Sequence, residues 1–458
     1  MNRRHLLAAA AANALLVGTA TRAALAAANR PPNFVVVLCD DLGYGDVSIY
    51  GPGGIKTPHI EQMAREGVVA TDYYAPANLC SPSRAGLLTG RYPVRTGLGY
   101  EVIMQKDDRG LPLSEVTIAK ALKPAGYATA LFGKWHLGHL GPAWPPTRHG
   151  FDTFFGIPYS HDMKPLALYE SHAGSDETVK SEVVYPQLQQ QFYDHAERFI
   201  EANKDRPFFV ELALSAPHLP EHPHPGFDTQ TYAGSYGAVV AEIDSIVGRL
   251  FGKLRELKLD RDTVVIFTSD NGPWFEGSPG WLRERKGGGG YDGGYRVPFV
   301  AWAPGRLPAG RRVNSMIMGI DLLPTFLAMA GQPPLKGVTL DGLDISNVLT
   351  KGAPSPHEAL ILFDNETPIG VRTQDWKYLD AAYYRDHKLP FSLLGYDELY
   401  DERDGRPENY SVAENHPDVV KAMKARLAAA KTEFAPFKHA DIPQAFKTLN
   451  AQFAHIQD

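Results

Sequence analysis

The amino-acid sequence predicts an α/β protein with a large, mainly parallel sheet flanked by helices, followed by a smaller C-terminal α+β subdomain with an antiparallel sheet. Short apolar runs that end in polar residues recur up to about residue 345. Patterns typical of helices lie between these runs, and strands that alternate with helices favour a parallel sheet. Beyond residue 345, short extended runs follow one another directly, which favours antiparallel pairing.

Four apolar runs are predicted to be buried strands, because they are short and rich in β-branched and aromatic residues. In chain order they cover 33–38, 128–132, 207–214 and 263–268. Each run leads into polar residues, which are Asp40 and Asp41, Lys134 and His136, His218, and Asp270 and Asn271. Ligands of parallel α/β folds bind beyond the carboxyl ends of the strands, so we expect these groups to collect at one edge.

Two helices illustrate the pattern between the strands. Thr57 is expected to cap the first, with Pro58 at its first position and Gly67 after its end. The second is predicted from apolar residues at helical spacing. These residues are Val239, Val240, Ile243, Val247, Leu250 and Leu254.

The patterns divide the chain into an N-terminal export signal at 1–28, a large domain at 29–345 and a C-terminal subdomain at 346–458. The extended runs of the C-terminal part cover 359–363, 369–373 and 376–379, and a helix is predicted over 417–431. We see no internal repeat and no low-complexity linker.

Residues 1–28 have the layout of an export signal. Arg3 and Arg4 precede an apolar run at 6–17, and the small residues at 24–26 offer a cleavage site. The paired arginines resemble a twin-arginine signal, and both this route and general export stay open. An amphipathic helix is the alternative, although the run has no clear polar face. We therefore expect an exported protein, periplasmic or secreted, with no stable membrane insertion.

The composition excludes several classes of protein. The 458 residues carry a net charge of −6, which gives no support for broad binding to nucleic acid or anionic membranes. Hydrophobic residues make up 44%, enough for a sizeable core. Cys39 and Cys80 are the only cysteines, so a disulfide scaffold and a Cys-rich zinc module are ruled out.

Cys80 opens the segment that carries the chemistry. Ser81 is expected to cap a helix, with Pro82 at its first position and Gly90 at its end. Cys80 would then lie beside a helix N-terminus, which favours an anion, and Arg84 adds a cation one turn along. A small buried hydrophobe and a disulfide with Cys39 are the alternative interpretations of Cys80.

The segment from Cys80 to Arg84 closely resembles the signature of the formylglycine-dependent sulfatases, Cys-x-Pro-x-Arg, with Thr89-Gly90-Arg91 following it. The resemblance is to arylsulfatases and N-acetylgalactosamine-6-sulfatases, and it implies an alkaline-phosphatase-like fold. It spans nearly the whole chain after residue 33. The further matching motifs are Asp40-Asp41, 133–138, 216–218, Asp270-Asn271-Gly272, Lys286, and 398–401 with Glu408 and Asn409.

This resemblance implies a modified residue and a metal. In the family the signature cysteine is oxidised to formylglycine by a maturation enzyme, and the hydrated aldehyde supplies one hydroxyl for attack on sulfur and one for release of sulfate. The matching metal ligands are Asp40, Asp41, Asp270 and Asn271, together with position 80. Their hard oxygen donors favour Ca²⁺, or Mg²⁺, over zinc. Turns or helix caps are the alternative roles for these acidic residues.

The resemblance also implies roles for the remaining polar residues. Asp270 would activate the attacking hydroxyl, and His218 with Lys286 would assist the leaving oxygen. His136 would take the second hydroxyl's proton, while Arg84 and Lys134 hold the formylglycine and the sulfate. The role of two further groups stays open, because they either line the leaving-group pocket or belong to ordinary surface loops. These groups are His222 with His224, and the stretch 159–162.

The implied activity is hydrolysis of a sulfate monoester, on an aryl or a carbohydrate alcohol, with a slight preference for a sulfated glycan. One alternative is a phosphatase or phosphonate monoester hydrolase of the same superfamily, because a cationic pocket accepts either ester. A second is a non-catalytic protein that binds sulfated glycans and keeps Cys80 unmodified. The oligomeric state stays open.

Overall fold

A computed structural model describes residues 30–51, 54–175, 178–384, 387–391, 395–403, 405 and 407–439. The export signal predicted at 1–28 lies outside these residues. Within the described ranges, no helix combines the length and the apolar character that a membrane span requires.

A ten-stranded sheet forms the centre of the molecule. In chain order its strands are β1 (Asn33–Asp40), β2 (Val68–Ala70), β4 (Ala128–Lys134), β5 (Thr153–Ile157), β6 (Leu168–His172), β7 (Thr178–Ser181), β8 (Phe208–Pro217), β9 (Thr263–Ser269), β10 (Phe299–Trp302) and β11 (Arg311–Val313). Their spatial order is β11-β2-β10-β9-β1-β8-β4-β5-β6-β7. A short pair, β3 (Tyr73–Tyr74) with β12 (Ile317–Met318), stands apart from this sheet.

The middle of the large sheet is parallel, as predicted. β1 pairs in parallel with β8 on one side and with β9 on the other, and β4 continues the parallel set with β8 and β5. The outer strands β10, β6 and β7 add antiparallel pairs. All four predicted strands are present, and each begins or ends within a few residues of its expected limits.

Helices cover both faces of the sheet because successive side chains of a strand point to opposite faces. In β1, Val35 and Val37 pack into one buried cluster, whereas Val36 and Leu38 pack into the other. The helices are α1 (Pro58–Glu66), α2 (Cys80–Thr89), α3 (Ile118–Leu122), α4 (Leu188–Ala202), α5 (Gly234–Glu256), α6 (Asp292–Tyr295), α7 (Leu322–Met329), α8 (Ser346–Lys351) and α9 (Pro417–Phe434). The apolar stripe predicted for α5 is buried along its length.

A second, four-stranded antiparallel sheet lies in the C-terminal part, where the sequence predicted it. Its strands are β13 (Leu360–Asp364), β14 (Thr367–Arg372), β15 (Trp376–Leu379) and β18 (Glu398–Asp401), and a separate hairpin is formed by β16 (Ala381–Tyr384) and β17 (His387–Pro390). The spatial order of the sheet is β13-β14-β15-β18, and α9 packs against β14. The domain boundary near residue 345 stays a prediction.

Buried ion pairs join the small sheet to the part of the chain that forms the large sheet. Arg372 contacts Asp72 at 3.0 Å, and Lys377 contacts Asp292 at 2.6 Å. Lys377 also contacts Glu408, within the C-terminal part, at 2.7 Å. Separating the two parts of the chain would break these buried pairs and leave uncompensated charges. The two parts are therefore held together by electrostatics as well as by packing.

The start of α2 differs from the prediction. Its cap is Leu79 and its first residue is Cys80, so the expectation that Ser81 caps the helix was wrong. The Ser81 hydroxyl instead accepts a hydrogen bond from the backbone N–H of Ile103 at 3.0 Å, a tertiary contact that local helix rules do not reveal. The predicted end at Gly90 is confirmed, with φ of 67°. Cys39 and Cys80 are not bonded to each other.

Candidate active site

The polar residues that follow β1, β4, β8 and β9 meet at one edge of the sheet, as the strand pattern predicted. The register explains why: Cys39 lies opposite Ser269, and Asp40 lies opposite Pro217. The N-terminus of α2 faces the same place and brings Cys80 and Arg84 to it. All the predicted site residues belong to this edge, namely Asp40, Asp41, Cys80, Arg84, Lys134, His136, His218, Asp270, Asn271 and Lys286.

Cys80 lies at the centre of the group. Its Sγ atom is 3.1 Å from Nζ of Lys286 and 3.9 Å from Oδ1 of Asp41. Burial raises the pKa of the Cys80 thiol to about 12, although Lys134 and Lys286 oppose the shift. The unmodified side chain is therefore a neutral thiol at physiological pH, which is a poor nucleophile.

Arg84 connects the helix to three strand ends. Its guanidinium donates to Oδ2 of Asp270 from Nε at 2.9 Å, and its Nη1 donates to the backbone carbonyl of Lys134 at 3.0 Å. Nη2 also lies 3.6 Å from Oδ1 of Asp40. The side chain is 1% exposed, so the guanidinium is a fixed cation whose position is set by three strands.

Lys134 and Lys286 each contact one of the paired aspartates. Lys134 donates to Oδ2 of Asp40 at 2.6 Å, and Lys286 donates to both oxygens of Asp41 at 2.7 and 2.8 Å. Burial alone would raise the pKa of Asp40, but Lys134 and the other cations hold it well below its usual range. Burial lowers the pKa of Lys286, but the charge of Asp41 outweighs this and raises it. Lys286 is thus part of the site and not of a flexible surface loop.

The oxygen atoms at the two strand ends fit a hard divalent cation. Oδ1 of Asp40 and Oδ1 of Asn271 are buried, and neither accepts a hydrogen bond from any residue in the described ranges. Ligand atoms of Asp40, Cys80 and Asp270 lie within 4.8 Å of one another. Burial raises the pKa of Asp270 to about 6 despite the charge of Arg84. A bound Ca²⁺ or Mg²⁺ would satisfy these buried oxygens and reduce the repulsion between the carboxylates.

His136 is oriented by its ring nitrogen Nε2, which is 3.0 Å from the carbonyl oxygen of Ile103. A carbonyl only accepts, so Nε2 carries the proton, and in the neutral ring Nδ1 has the lone pair. Nδ1 is buried without a hydrogen-bond partner among the described residues. Burial, and then the charge of Lys134, lower the pKa of His136 well below its usual value. The geometry therefore presents a neutral base.

His218 has the opposite arrangement. Its Nδ1 donates to the carbonyl of Leu219 at 2.6 Å, so Nε2 points into the site. There it lies 3.6 Å from Oδ2 of Asp41 and 3.4 Å from the hydroxyl of Ser160. The side chain is 14% exposed, which leaves it at the boundary between the buried site and solvent.

Ser160 belongs to the stretch 159–162, for which the sequence left a pocket and a surface loop open, and it is buried and contacts His218. One residue near Arg84, Glu211, was not singled out from the sequence. Glu211 lies in the middle of β8, and burial raises its pKa to about 7 while Arg84 lowers it. A lone carboxylate within the apolar run of β8 was the available signal for Glu211. No local pattern distinguished Ser160 from an ordinary loop serine.

The histidines of the Pro-rich loop separate in the structure. The ring of His222 is 6.0 Å from that of His161, which is itself 5.6 Å from the ring of His218. His224 instead bonds Glu242 through its backbone and contacts Phe227. Of His222 and His224, only His222 therefore lies on the side of His218, where the leaving group is expected.

Comparison with known proteins agrees with this geometry. The family model described as Sulfatase matches residues 32–332. The chain is 36% identical to arylsulfatase A from Homo sapiens, with 93% of each chain covered. This chain belongs to the sulfatase family. It is thus a member of a family of sulfuric ester hydrolases, and the fold is the alkaline-phosphatase-like fold that the motifs implied.

Other sulfatase relatives agree. The chain is 36% identical to N-acetylgalactosamine-6-sulfatase from Sus scrofa, over 74% of this chain and 70% of the relative. Among solved structures, the PsFucS1 sulfatase from Pseudoalteromonas sp. has a TM-score of 0.81 and 27% identity, with 91% and 93% of the chains covered. The phosphonate monoester hydrolase of Agrobacterium radiobacter shares the fold, with a TM-score of 0.62 and 19% identity over 88% and 96% of the chains.

Proposed function

We propose that this sulfatase hydrolyses sulfate monoesters through a formylglycine made from Cys80, with a covalent sulfo-enzyme stage and a bound divalent cation. The observation that carries the proposal is the position of Cys80. Its Sγ lies beside the ion pair of Lys286 and Asp41, at the N-terminus of α2. The neutral thiol is poorly suited to attack, whereas a hydrated aldehyde supplies both an attacking hydroxyl and a second hydroxyl for release.

The cations of the site would hold the sulfate oxygens. Arg84, Lys134 and Lys286 are fixed by carboxylate or carbonyl contacts before any substrate arrives. Positive groups that need no rearrangement stabilise the charge that develops on sulfate oxygens in the transition state. These cations offset much of the charge of Asp40, Asp41 and Asp270, while Oδ1 of Asp40 and Oδ1 of Asn271 have no hydrogen-bond partner among the described residues and would be available to a metal.

Different residues of the site would accept and donate the protons of the two steps. Asp270 takes the proton of the attacking hydroxyl, and His218 with Lys286 supplies one to the leaving oxygen. His136 takes the proton of the second hydroxyl through Nδ1, because its Nε2 is already occupied by the carbonyl of Ile103. General acid–base help of this kind contributes typically about 10²–10⁴-fold to a rate.

Asp40, Asp41, Asp270 and Asn271 would hold the cation together with position 80. We propose Ca²⁺, with Mg²⁺ as the alternative, because the aspartates and the asparagine all offer hard oxygens. The cation would supply positive charge that favours the ionised form of the attacking hydroxyl and the bound sulfate. Removal of the metal, verified by elemental analysis, should abolish turnover and leave the circular dichroism spectrum nearly unchanged, since the sheet is held by its buried core.

For the substrate we propose an aryl or carbohydrate sulfate, with preference for a sulfated glycan. The names of two relatives bear on this, since one is an arylsulfatase and the other an N-acetylgalactosamine-6-sulfatase. We further propose export through the signal at 1–28, maturation by a formylglycine-generating enzyme, and a catalytic domain at 29–345 with a C-terminal subdomain at 346–458.

The first experiment measures the mass of the peptide that contains Cys80 after coexpression with a maturation system. Active protein should contain formylglycine at this position, and Cys80→Ala should lose turnover. Cys39→Ala is the matched control, because Cys39 is also buried but lies in the apolar core. Full activity with only cysteine at position 80 would contradict the proposal.

The second experiment compares matched sulfate and phosphate esters. A kcat/KM that favours the sulfate ester supports a sulfatase. A preference for the phosphate or phosphonate ester would favour the alternative, a phosphatase or phosphonate monoester hydrolase. The solved phosphonate monoester hydrolase supports that alternative only through the shared fold.

A further inference from the structure

The turn that follows β8 carries His218 and is held by hydrogen bonds from two histidine rings. Nδ1 of His218 donates to the carbonyl of Leu219 at 2.6 Å. Nε2 of His161, which lies in a different loop, donates to the next carbonyl, that of Pro220, at 2.9 Å. The direction of the His218 ring therefore depends on the backbone of residues 218–220, and His161 fixes that backbone from outside the turn.

The loop that carries His161 is itself attached to the catalytic edge of the sheet. It follows β5, and near its start the carbonyl of Pro158 accepts a hydrogen bond from the backbone N–H of His136 at 3.1 Å. Farther along the loop, the Ser160 hydroxyl lies 3.4 Å from Nε2 of His218. The loop thus contacts both histidines to which the proton transfers are assigned, and His161 stands next to one of these contacts.

The ring of His161 is suited to hold the turn and not to carry a proton. It is 4% exposed, it lies edge-on to the ring of His218 with the centroids 5.6 Å apart, and both rings line the same small cavity. Burial, followed by the charge of His218, lowers the pKa of His161 to about 4, so the ring is neutral near pH 7. Its one N–H is then used by the carbonyl of Pro220, which only accepts. Nδ1 is buried without a hydrogen-bond partner among the described residues, so no chain of hydrogen bonds between them passes through this ring.

We propose that His161 is a positioning residue for His218: its bond to the carbonyl of Pro220 fixes the turn 218–220, so that Nε2 of His218 stays within reach of the leaving oxygen. This proposal rests on the role in protonating the leaving oxygen proposed above for His218. Proton transfer needs a separation of about 2.6–3.2 Å between the two heavy atoms. A displacement of about 1 Å can cost about 10²-fold in rate, so loss of a bond that holds the turn should be measurable.

The test separates the hydrogen-bond donor from the ring. His161→Phe keeps an aromatic ring but removes the N–H, and His161→Asn is polar but too short to reach Pro220. His161→Gln carries an amide N–H at about the reach of Nε2 and should restore the function. His149→Phe is the matched control, because His149 is also buried and its Nε2 donates to a loop carbonyl, that of Ala143, at 2.8 Å.

The substrates are 4-nitrophenyl sulfate, whose leaving group needs little help from an acid, and phenyl sulfate, whose leaving group is more basic. The ratio of kcat/KM for phenyl sulfate to that for 4-nitrophenyl sulfate should fall about tenfold or more in His161→Phe and His161→Asn. It should stay near the wild-type value in His161→Gln and His149→Phe. An unchanged ratio in the first two variants, or an equal fall for both substrates, would overturn the proposal, because a merely structural role affects the two esters alike.

A measurement without turnover distinguishes this result from failure of the proposed function. ¹⁵N NMR of the histidine rings, at a pH where His218 is neutral, reports which of its nitrogens carries the proton, and the spectrum of His218→Gln assigns the signal. Wild-type protein should show His218 protonated at Nδ1, and His161→Phe should show a mixture of both tautomers. That mixture supports the role of His161 even if the wild-type protein turns over no sulfate ester, whereas a wild-type His218 signal in His161→Phe overturns it.

Discussion

His136 and His218 present different nitrogens to the same site. Nε2 of His136 is held by the carbonyl of Ile103, and Nδ1 of His218 is held by the carbonyl of Leu219. One ring therefore offers Nδ1 and the other Nε2. His136 is buried and burial lowers its pKa, which favours the neutral ring whose Nδ1 can accept a proton. His218 borders solvent beside Asp41, as suits a group that exchanges a proton with a departing alcohol.

These orientations give the first prediction. His136→Ala should still release the alcohol but slow the release of sulfate by roughly 10²–10⁴-fold, because the second proton loses its acceptor. Rapid-quench kinetics should show a burst of one equivalent of alcohol, and intact-protein mass should show retained sulfate. His218→Ala should slow the alcohol-forming step, more for sugar than for activated aryl esters. A His136 variant that binds substrate but shows neither burst nor adduct would contradict the assigned role.

At the scale of elements, the site depends on how closely β4 approaches β8. Gly133 has φ of 123°, and a Cβ atom there would lie 1.8 Å from the carbonyl oxygen of Ala213. Only glycine allows the two strands to pair at this point. The next residue is Lys134, so this close approach also sets the position of a site cation.

Gly133→Ala should therefore lower both stability and turnover. Forcing a methyl group against a backbone carbonyl costs about 1–3 kcal/mol or more, and relief of the clash displaces Lys134 from Asp40. Thermal melting and kcat/KM on an aryl sulfate measure the two effects. Gly252→Ala in α5 is the control, since nothing lies within 4 Å of the added atom and alanine favours a helix. Wild-type melting and activity in Gly133→Ala would contradict the argument.

For the whole molecule, buried histidines make stability depend on pH. Burial lowers the pKa of His149 to about 4, and its Nε2 donates to the carbonyl of Ala143 at 2.8 Å. The unfolded chain has a histidine pKa of about 6.5, so it binds a proton more readily than the folded state does. The stability from this group is present above pH 6.5 and is lost as the pH falls toward 4.

We expect the unfolding free energy of the wild-type protein to fall by up to about 3 kcal/mol through His149 alone as the pH falls from 6.5 to 4. His149→Gln keeps a hydrogen-bond donor but does not titrate between pH 4 and 6.5. Its unfolding free energy should therefore fall less than that of the wild type over this pH range. Melting curves at a series of pH values measure the difference between the two proteins. Equal slopes would show that His149 does not contribute in this way.

The sequence predicted the large sheet and the main site because both follow from short local patterns. Apolar runs show which residues enter the core, and the polar residues after each run lie at the carboxyl edge of the sheet. Asp40 and Asp270 illustrate this, since each stands at the end of a strand that the sequence predicted. Local chemistry along the chain was therefore enough to place them at one edge.

Contacts between distant parts of the chain could not be predicted in the same way. The Ser81 hydroxyl bonds the backbone of Ile103, and Ser160 reaches His218 from another loop. Arg285 likewise donates hydrogen bonds from its guanidinium to the backbone carbonyls of Trp274 and Gly277. Each of these contacts depends on tertiary structure, so a cap rule or a turn motif alone does not reveal it.

The junction between the two sheets gives the last prediction. Lys377 is fully buried and contacts Asp292 at 2.6 Å and Glu408 at 2.7 Å. Lys377→Met nearly keeps the length of the side chain but leaves two buried carboxylates without their shared cation. Breaking a buried pair in this way costs about 3–5 kcal/mol, whereas an exposed pair contributes about 1 kcal/mol or less.

Unfolding free energies measured in denaturant should therefore fall strongly for Lys377→Met and little for Lys424→Met, whose partner Asp397 lies 2.8 Å away on the surface. Adding Asp292→Asn to Lys377→Met should recover part of the loss, because Lys377 holds the pKa of Asp292 below its usual range and the second change removes the charge left uncompensated. If the double variant were as unstable as the sum of the two single variants, the charges would not be coupled, and the junction would depend on packing instead.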